Sequence, residues 1–165
     1  GKTLHLADLM KNKGKIVSMD VVAKKLKELE LRAKRNGFNI IDTVVIKGDA
    51  TIDDFKESAD RLLLDVPCSG LGVLKRNPDA KWKLSPSFIG EIIETQKNIL
   101  HRYTRMLKPG GLAVYATCSI LPDENENQVK RFLAKNKNFT LVKEEHLSPT
   151  NPLSDGYYMA LLRKA

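Results

Sequence analysis

Arg61-Leu62-Leu63-Leu64-Asp65-Val66-Pro67-Cys68-Ser69-Gly70 is an apolar run too short for a helix, ending on a carboxylate and passing into a Pro/Gly turn. That pattern reads as a strand whose carboxyl end faces a turn. The same pattern occurs twice upstream. Residues 15–19 form a strand candidate ending at Asp20, after which Val22, Leu26, Leu29 and Ala33 take helical spacing until Asn36-Gly37 stops it. Residues 41–46 form another, ending at Lys47-Gly48-Asp49. Downstream, after a polar loop over 71–83, Ser85-Pro86 offers an N-cap and a first-turn proline. The long amphipathic helix they open runs through Ile89, Ile92, Ile93, Gln96, Leu100, Tyr103 and Leu107 to Lys108-Pro109-Gly110-Gly111. The remaining periodicity predicts a strand over 112–117, a helix over 123–135, and strands over 139–142 and 157–163. Strands separated by helices imply an α/β fold, its mainly parallel sheet covered on both faces. Ligands of such sheets bind beyond the carboxyl ends of the strands, where Asp20, Asp49, Asp65, Cys68 and Cys118 all fall.

The chain has 165 residues, a length that suits one domain around one core. Its 28 Lys and Arg against 20 Asp and Glu give a net charge of +8, which favours polyanionic partners. No apolar stretch approaches the roughly 20 residues of a membrane-spanning helix. The first ten residues lack the pattern of a secretory signal, so a cytoplasmic protein without membrane contact is expected. Cys68 and Cys118 lie far apart with no paired spacing, which excludes a disulfide framework. His5, His101 and His146 sit in unrelated contexts, and no metal site is expected.

Asp20 suits a hydrogen-bonded ribose diol, and equally a cap for the helix that follows it. Asp49 has the same two readings, ligand carboxylate or turn residue. The loop after Asp65 is built for close approach, since Pro67 lacks a donor and Gly70 and Gly72 permit tight backbone. Tyr115-Ala116-Thr117-Cys118-Ser119 ends the strand one helix later, so a right-handed crossover would make the two cysteine loops neighbours. Lys75 and Arg76 suit phosphate, with Trp82 stacking or packing beside them; a solvated loop anchored by one aromatic explains the same residues.

Together these stretches resemble the Sun/Fmu (NOP/Sun-type) RNA cytosine-5 methyltransferases, which use S-adenosylmethionine, over essentially the whole chain. Gly1-Lys2-Thr3 is similar to the end of the family's glycine-rich cofactor loop, Val17-Ser18-Met19-Asp20 to its ribose-binding motif, and Gly48-Asp49-Ala50 to its adenine-side motif. Asp65-Val66-Pro67-Cys68-Ser69-Gly70 and Thr117-Cys118-Ser119 resemble its paired catalytic motifs. Leu74-Lys75-Arg76-Asn77-Pro78-Asp79 with Trp82 resembles its basic loop, and Asp155-Gly156-Tyr157-Tyr158 its closing strand. The resemblance implies a Rossmann-like class I methyltransferase sheet, with Gly1, Lys2, Asp20, Asp49 and Asp65 at the cofactor. It implies Cys118 as the attacking thiolate, Cys68 as an aid to product release, Asp65 as a stabiliser of the activated base, and Arg76 and Pro67 on the side of the RNA, rRNA or tRNA.

The family's cofactor loop reads Asp-x-Cys-Ala-Ala-Pro-Gly-Gly-Lys-Thr after a central strand, and this chain opens on the final Gly-Lys-Thr. The sheet is therefore expected to lack its first central strand, between those ending at Asp20 and Asp65, as in a fragment of a longer enzyme; pairing of two copies through the open edges, as a dimer, is another way to close the gap. The expected domain is a partial catalytic domain over 1–165. Two other readings stand beside this one: a basic RNA-binding module without catalysis, and a Rossmann-like methyltransferase acting on an amino group.

Overall fold

The computed structural model describes residues 1–165, which form two compact units, Gly1–Asp54 and Phe55–Ala165. In the first, α1 (Lys2–Leu9) is followed by β1 (Ile16–Asp20), α2 (Ala23–Arg35), β2 (Ile41–Val45) and α3 (Asp49–Asp53). β1 and β2 pair in parallel, Ile16 opposite Ile41 and Asp20 opposite Val45, as a strand–helix–strand unit requires. α2 turns Leu26 and Ala33 inward and ends where Gly37 adopts a φ of 71°. The sequence reading did not anticipate α1, whose apolar stripe is narrow: Ala7 is its buried residue. The Ser18 hydroxyl donates to Thr3 Oγ1 at 3.0 Å and ties α1 to β1.

The second unit contains β3 (Ala59–Asp65), two 3₁₀ turns (Leu71–Val73 and Pro78–Lys83), and α4 (Pro86–Tyr103). β4 (Leu107–Thr117), α5 (Glu126–Lys135), β5 (Phe139–Leu147) and β6 (Tyr157–Lys164) follow, with short 3₁₀ turns before β4 and α5. The sheet order is β3-β4-β6-β5. β3 and β4 are parallel, but β6 runs antiparallel to both β4 and β5. This corrects the expectation of a mainly parallel sheet: no helix separates β5 from β6, so β6 can only turn back beside its predecessor.

Two boundaries also differ. α4 stops at Tyr103, after the Ser85 hydroxyl has capped its start by accepting from Phe88 N–H at 3.2 Å. Leu107, the last position of its expected stripe, instead opens β4 opposite Ala59. Since Arg61 faces Leu112, the Lys108–Gly111 turn loops out inside the ladder rather than closing a helix. β5 continues past 142 to Leu147 as an exposed edge strand, where Lys143, Glu144 and Glu145 discourage further pairing.

Leu64 from β3, Tyr115 from β4, Leu100 from α4, Phe132 from α5, and Tyr158 and Leu162 from β6 form the core of this unit. The Tyr115 and Tyr158 rings meet edge to face at 6.3 Å. Among the described residues, β1 pairs only with β2, and β3 is hydrogen-bonded only to β4. One edge of each is thus free of strand pairing.

Candidate active site

Cys68 and Cys118 are free thiols whose sulfurs lie 3.1 Å apart at the carboxyl ends of β3 and β4. The ladder alone would not bring them together. Asp65 faces Ala116, so Cys118 keeps the face of Ala116, while Cys68, three residues past Asp65, would point the other way. Val66 N–H still reaches Ala116 O at 3.2 Å; beyond it the chain leaves the ladder, and the turn through Pro67 brings the Cys68 sulfur to Cys118.

The hydrogen bond to Cys118, burial, and the charge of Cys118 together hold the Cys68 thiol far above the ordinary thiol range, outweighing the 3.3 Å donation from Cys118 N–H. Cys68 therefore keeps its proton. Iodoacetamide near neutral pH is expected to modify Cys118 before Cys68, as read by peptide mass spectrometry; the reverse order would reassign the shared proton.

Beneath the thiols lies a polar layer in which every buried side-chain nitrogen and oxygen among the described residues has a partner. Ser69 Oγ and Ser119 Oγ are 3.1 Å apart, repeating the cysteine pair one residue further on. The buried Glu124 carboxylate accepts from Ser69 N–H, Ser119 Oγ and Gln96 Nε2, while its backbone carbonyl takes the Tyr115 hydroxyl at 2.7 Å. Burial, with the Glu124 charge beside it, pushes the ionisation of that hydroxyl well up. Sequence reasoning missed Glu124 and Asn125, whose Pro122-Asp123-Glu124-Asn125-Glu126 context looks solvated. The available signal was Gln96, a polar residue on the apolar stripe of α4 and fully buried.

The loop after Cys68 folds back over Cys118. Gly72 N–H donates to Cys118 O at 2.9 Å, and Gly156 N–H donates to Gly72 O at 2.7 Å. Arg76 Nη2 lies 2.6 Å from Asp155 and 2.8 Å from the Tyr157 hydroxyl, and Lys75 Nζ donates to Asn151 O at 2.8 Å. Both basic residues brace the loop, and Arg76 remains well exposed. Trp82 is 79% exposed, with Lys81 Nζ 4.7 Å from its ring centroid, so it anchors no core. Pro67 is exposed, and its carbonyl accepts from Gln96 Nε2 at 2.9 Å.

Of the residues expected at a cofactor, Asp65 ends β3 in the cysteine unit. The others lie in the first unit: Gly1 precedes α1, Lys2 begins it, Asp20 ends β1, and Asp49 opens α3 after the neighbouring parallel strand β2. Asp20 is not the cap of α2, whose N-cap is Val22; its Oδ1 accepts from Val22 N–H at 2.8 Å in a local turn ahead of the helix, and its Oδ2 lies 3.4 Å from Lys25 Nζ. A carboxylate offers about four acceptor sites, so this pairing leaves capacity for a diol.

The sheet and the helices packed on it define a Rossmann-like methyltransferase-type chain. It belongs to the family described as 16S rRNA methyltransferase RsmB/F, whose model matches residues 1–163. It is 37% identical over 184 residues to a probable ribosomal RNA small subunit methyltransferase B of Synechocystis sp., with all of this chain and 41% of that protein covered. A ribosomal RNA small subunit methyltransferase B of Shewanella oneidensis is 40% identical over 178 residues, with 100% and 41% covered. The chain thus spans about two fifths of these curated relatives. Among solved structures, NSun6 from Pyrococcus horikoshii with SFG superposes with a TM-score of 0.87 at 30% identity, over 99% of this chain and 45% of that one. A methyltransferase homolog protein from the same organism gives 0.84 at 28% identity, over 100% and 58%.

Proposed function

We propose that this chain carries the catalytic thiols of an S-adenosylmethionine-dependent methyltransferase acting on carbon 5 of a cytosine in small-subunit ribosomal RNA. The observation that carries the reading is the Cys68–Cys118 sulfur pair, 3.1 Å apart at the carboxyl edge of the sheet. The family and the names of its relatives support the RNA as substrate.

Carbon 5 of cytosine is a weak nucleophile. Addition of the Cys118 thiolate to carbon 6 forms a sulfur–carbon bond and moves the ring electrons to carbon 5. Bound S-adenosylmethionine supplies an electrophilic methyl group to that carbon. Loss of the carbon 5 proton to water then returns electrons to the ring and breaks the bond to Cys118, which leaves as thiolate. Cys68, holding its proton against the Cys118 sulfur, stabilises the thiolate both as nucleophile and as leaving group. Asp65 stands at the end of the same strand, in reach of the base's polar edge by resemblance to the family motif. The base must leave its stack to be reached, and the net charge of +8 suits the RNA backbone.

The test is mass-spectrometric detection of 5-methylcytosine after incubation of transcribed small-subunit rRNA with the protein and methyl donor. Salt-sensitive RNA binding without methylation by folded protein would favour the RNA-binding module instead. Asp20→Ala is expected to weaken S-adenosylhomocysteine binding by about 10- to 100-fold in calorimetry, the loss of hydrogen bonds to a charged acceptor; unchanged affinity would remove Asp20 from the cofactor site. The free edges of β1 and β3 also suit pairing with a second copy, and a monomeric mass in light scattering across a wide concentration range would exclude it.

A further inference from the structure

We propose that Glu124 is the positioning residue that sets the two thiols against each other, an inference resting on the reading of Cys68 and Cys118 as the reacting pair. Glu124 is fully buried (0% exposed) and lies outside both cysteine turns, in the 3₁₀ turn that precedes α5. Its Oε2 accepts from Ser69 N–H at 2.9 Å and from Gln96 Nε2 at 2.8 Å, and its Oε1 accepts from Ser119 Oγ at 2.6 Å. Gln96 also donates to Pro67 O at 2.9 Å. The next residue, Asn125, accepts from the Thr117 hydroxyl at 2.5 Å and donates to Ser119 O at 2.9 Å.

The residues on both sides of Cys68, Pro67 and Ser69, and on both sides of Cys118, Thr117 and Ser119, are therefore gripped by the buried pair Glu124 and Asn125 and by one glutamine. The side chain at 124 must serve three donors, two of them at one oxygen, which suits a carboxylate. Alanine there leaves buried Ser69 N–H and Gln96 Nε2 short of an acceptor, and the two turns lose their common tie. Glutamine can place its oxygen at the shared position and its amide against Ser119 Oγ, which then accepts.

The thiols themselves report the geometry. Diamide joins two thiols into a disulfide and is reduced to the hydrazine, at a rate set by how closely the sulfurs are held. Folded Glu124→Ala is expected to cross-link Cys68 to Cys118 about 10-fold or more slowly than wild type, and Glu124→Gln within about 3-fold of it, through lost or retained effective concentration. A folded alanine variant that cross-links at the wild-type rate overturns the proposal. Should circular dichroism show that variant unfolded, Ser119→Ala decides: slowed cross-linking supports the tie, and the wild-type rate overturns it. In methyl transfer, Glu124→Ala is expected to lower kcat about 100-fold with KM for RNA unchanged, and Glu124→Gln to restore it, as for a displaced reacting group. An unchanged kcat overturns the role. Failure of the reading beneath it is distinguishable: a fully active Cys118→Ala would remove the thiols from catalysis while the cross-linking rates still locate the tie.

Discussion

Cys118→Ala is expected to abolish methyl transfer, by on the order of 10³-fold or more, because in the proposed mechanism the path to a nucleophilic carbon 5 begins with its sulfur. Cys68→Ala is expected to act later in the reaction. With the proton-bearing partner 3.1 Å from Cys118 removed, the thiolate becomes a poorer leaving group and a covalent protein–RNA adduct should accumulate. Denaturing gels of the two variants incubated with transcribed rRNA and methyl donor separate these outcomes: a retarded band for Cys68→Ala and none for Cys118→Ala. The opposite pattern would exchange the roles of the two cysteines. Adducts with neither variant, in protein that forms 5-methylcytosine, would exclude covalent catalysis through this pair.

The largest effect on stability is expected from Gly72→Ala. A Cβ at Gly72 would lie 2.0 Å from Gly156 O, 2.7 Å from Gly156 C and 2.8 Å from Cys118 O. All three are backbone atoms, so no side-chain rotation relieves the clash. Relief requires parting the Gly72–Cys118 and Gly72–Gly156 hydrogen bonds, which seat the loop over the second thiol. The expected cost is about 4 kcal/mol or more, which corresponds to a melting temperature lower by roughly 15 °C or more for a domain of this size. Gly90→Ala is the control, since nothing lies within 4 Å of a Cβ there. That position is in the body of α4, where the change is expected to be neutral or stabilising by up to about 1 kcal/mol. Differential scanning calorimetry of the two variants tests this, and a Gly72→Ala melting point within about 3 °C of wild type, about one kcal/mol's worth of shift at most, would refute the close approach.

Much of the fold was legible locally. β1, α2, β2 and β3 end within a few residues of where periodicity and Asn-Gly, Gly-Asp or Pro-Cys punctuation put them, because each element is bounded by residues that cannot continue it. Adjacency of the two cysteine turns also followed from connectivity, since a strand–helix–strand crossover places consecutive parallel strands side by side. The end of α4 was not legible. Leu107 fits both a helical stripe and a strand start, and only pairing with Ala59 decides between them.

What the sequence by itself determined was the α/β class of the fold, the strand ends and the two thiol turns, because hydrophobic period and turn chemistry act over a few neighbouring residues. Tertiary structure alone decided the antiparallel place of β6 between β4 and β5, the departure of the Pro67 turn from the ladder that brings Cys68 to Cys118, and the burial of Glu124. These depend on groups far apart in the chain: Ser69 and Glu124 are 55 residues apart, and a carboxylate that looks solvated beside Asp123 becomes an interior acceptor only once α4, β3 and β4 bring their donors to it.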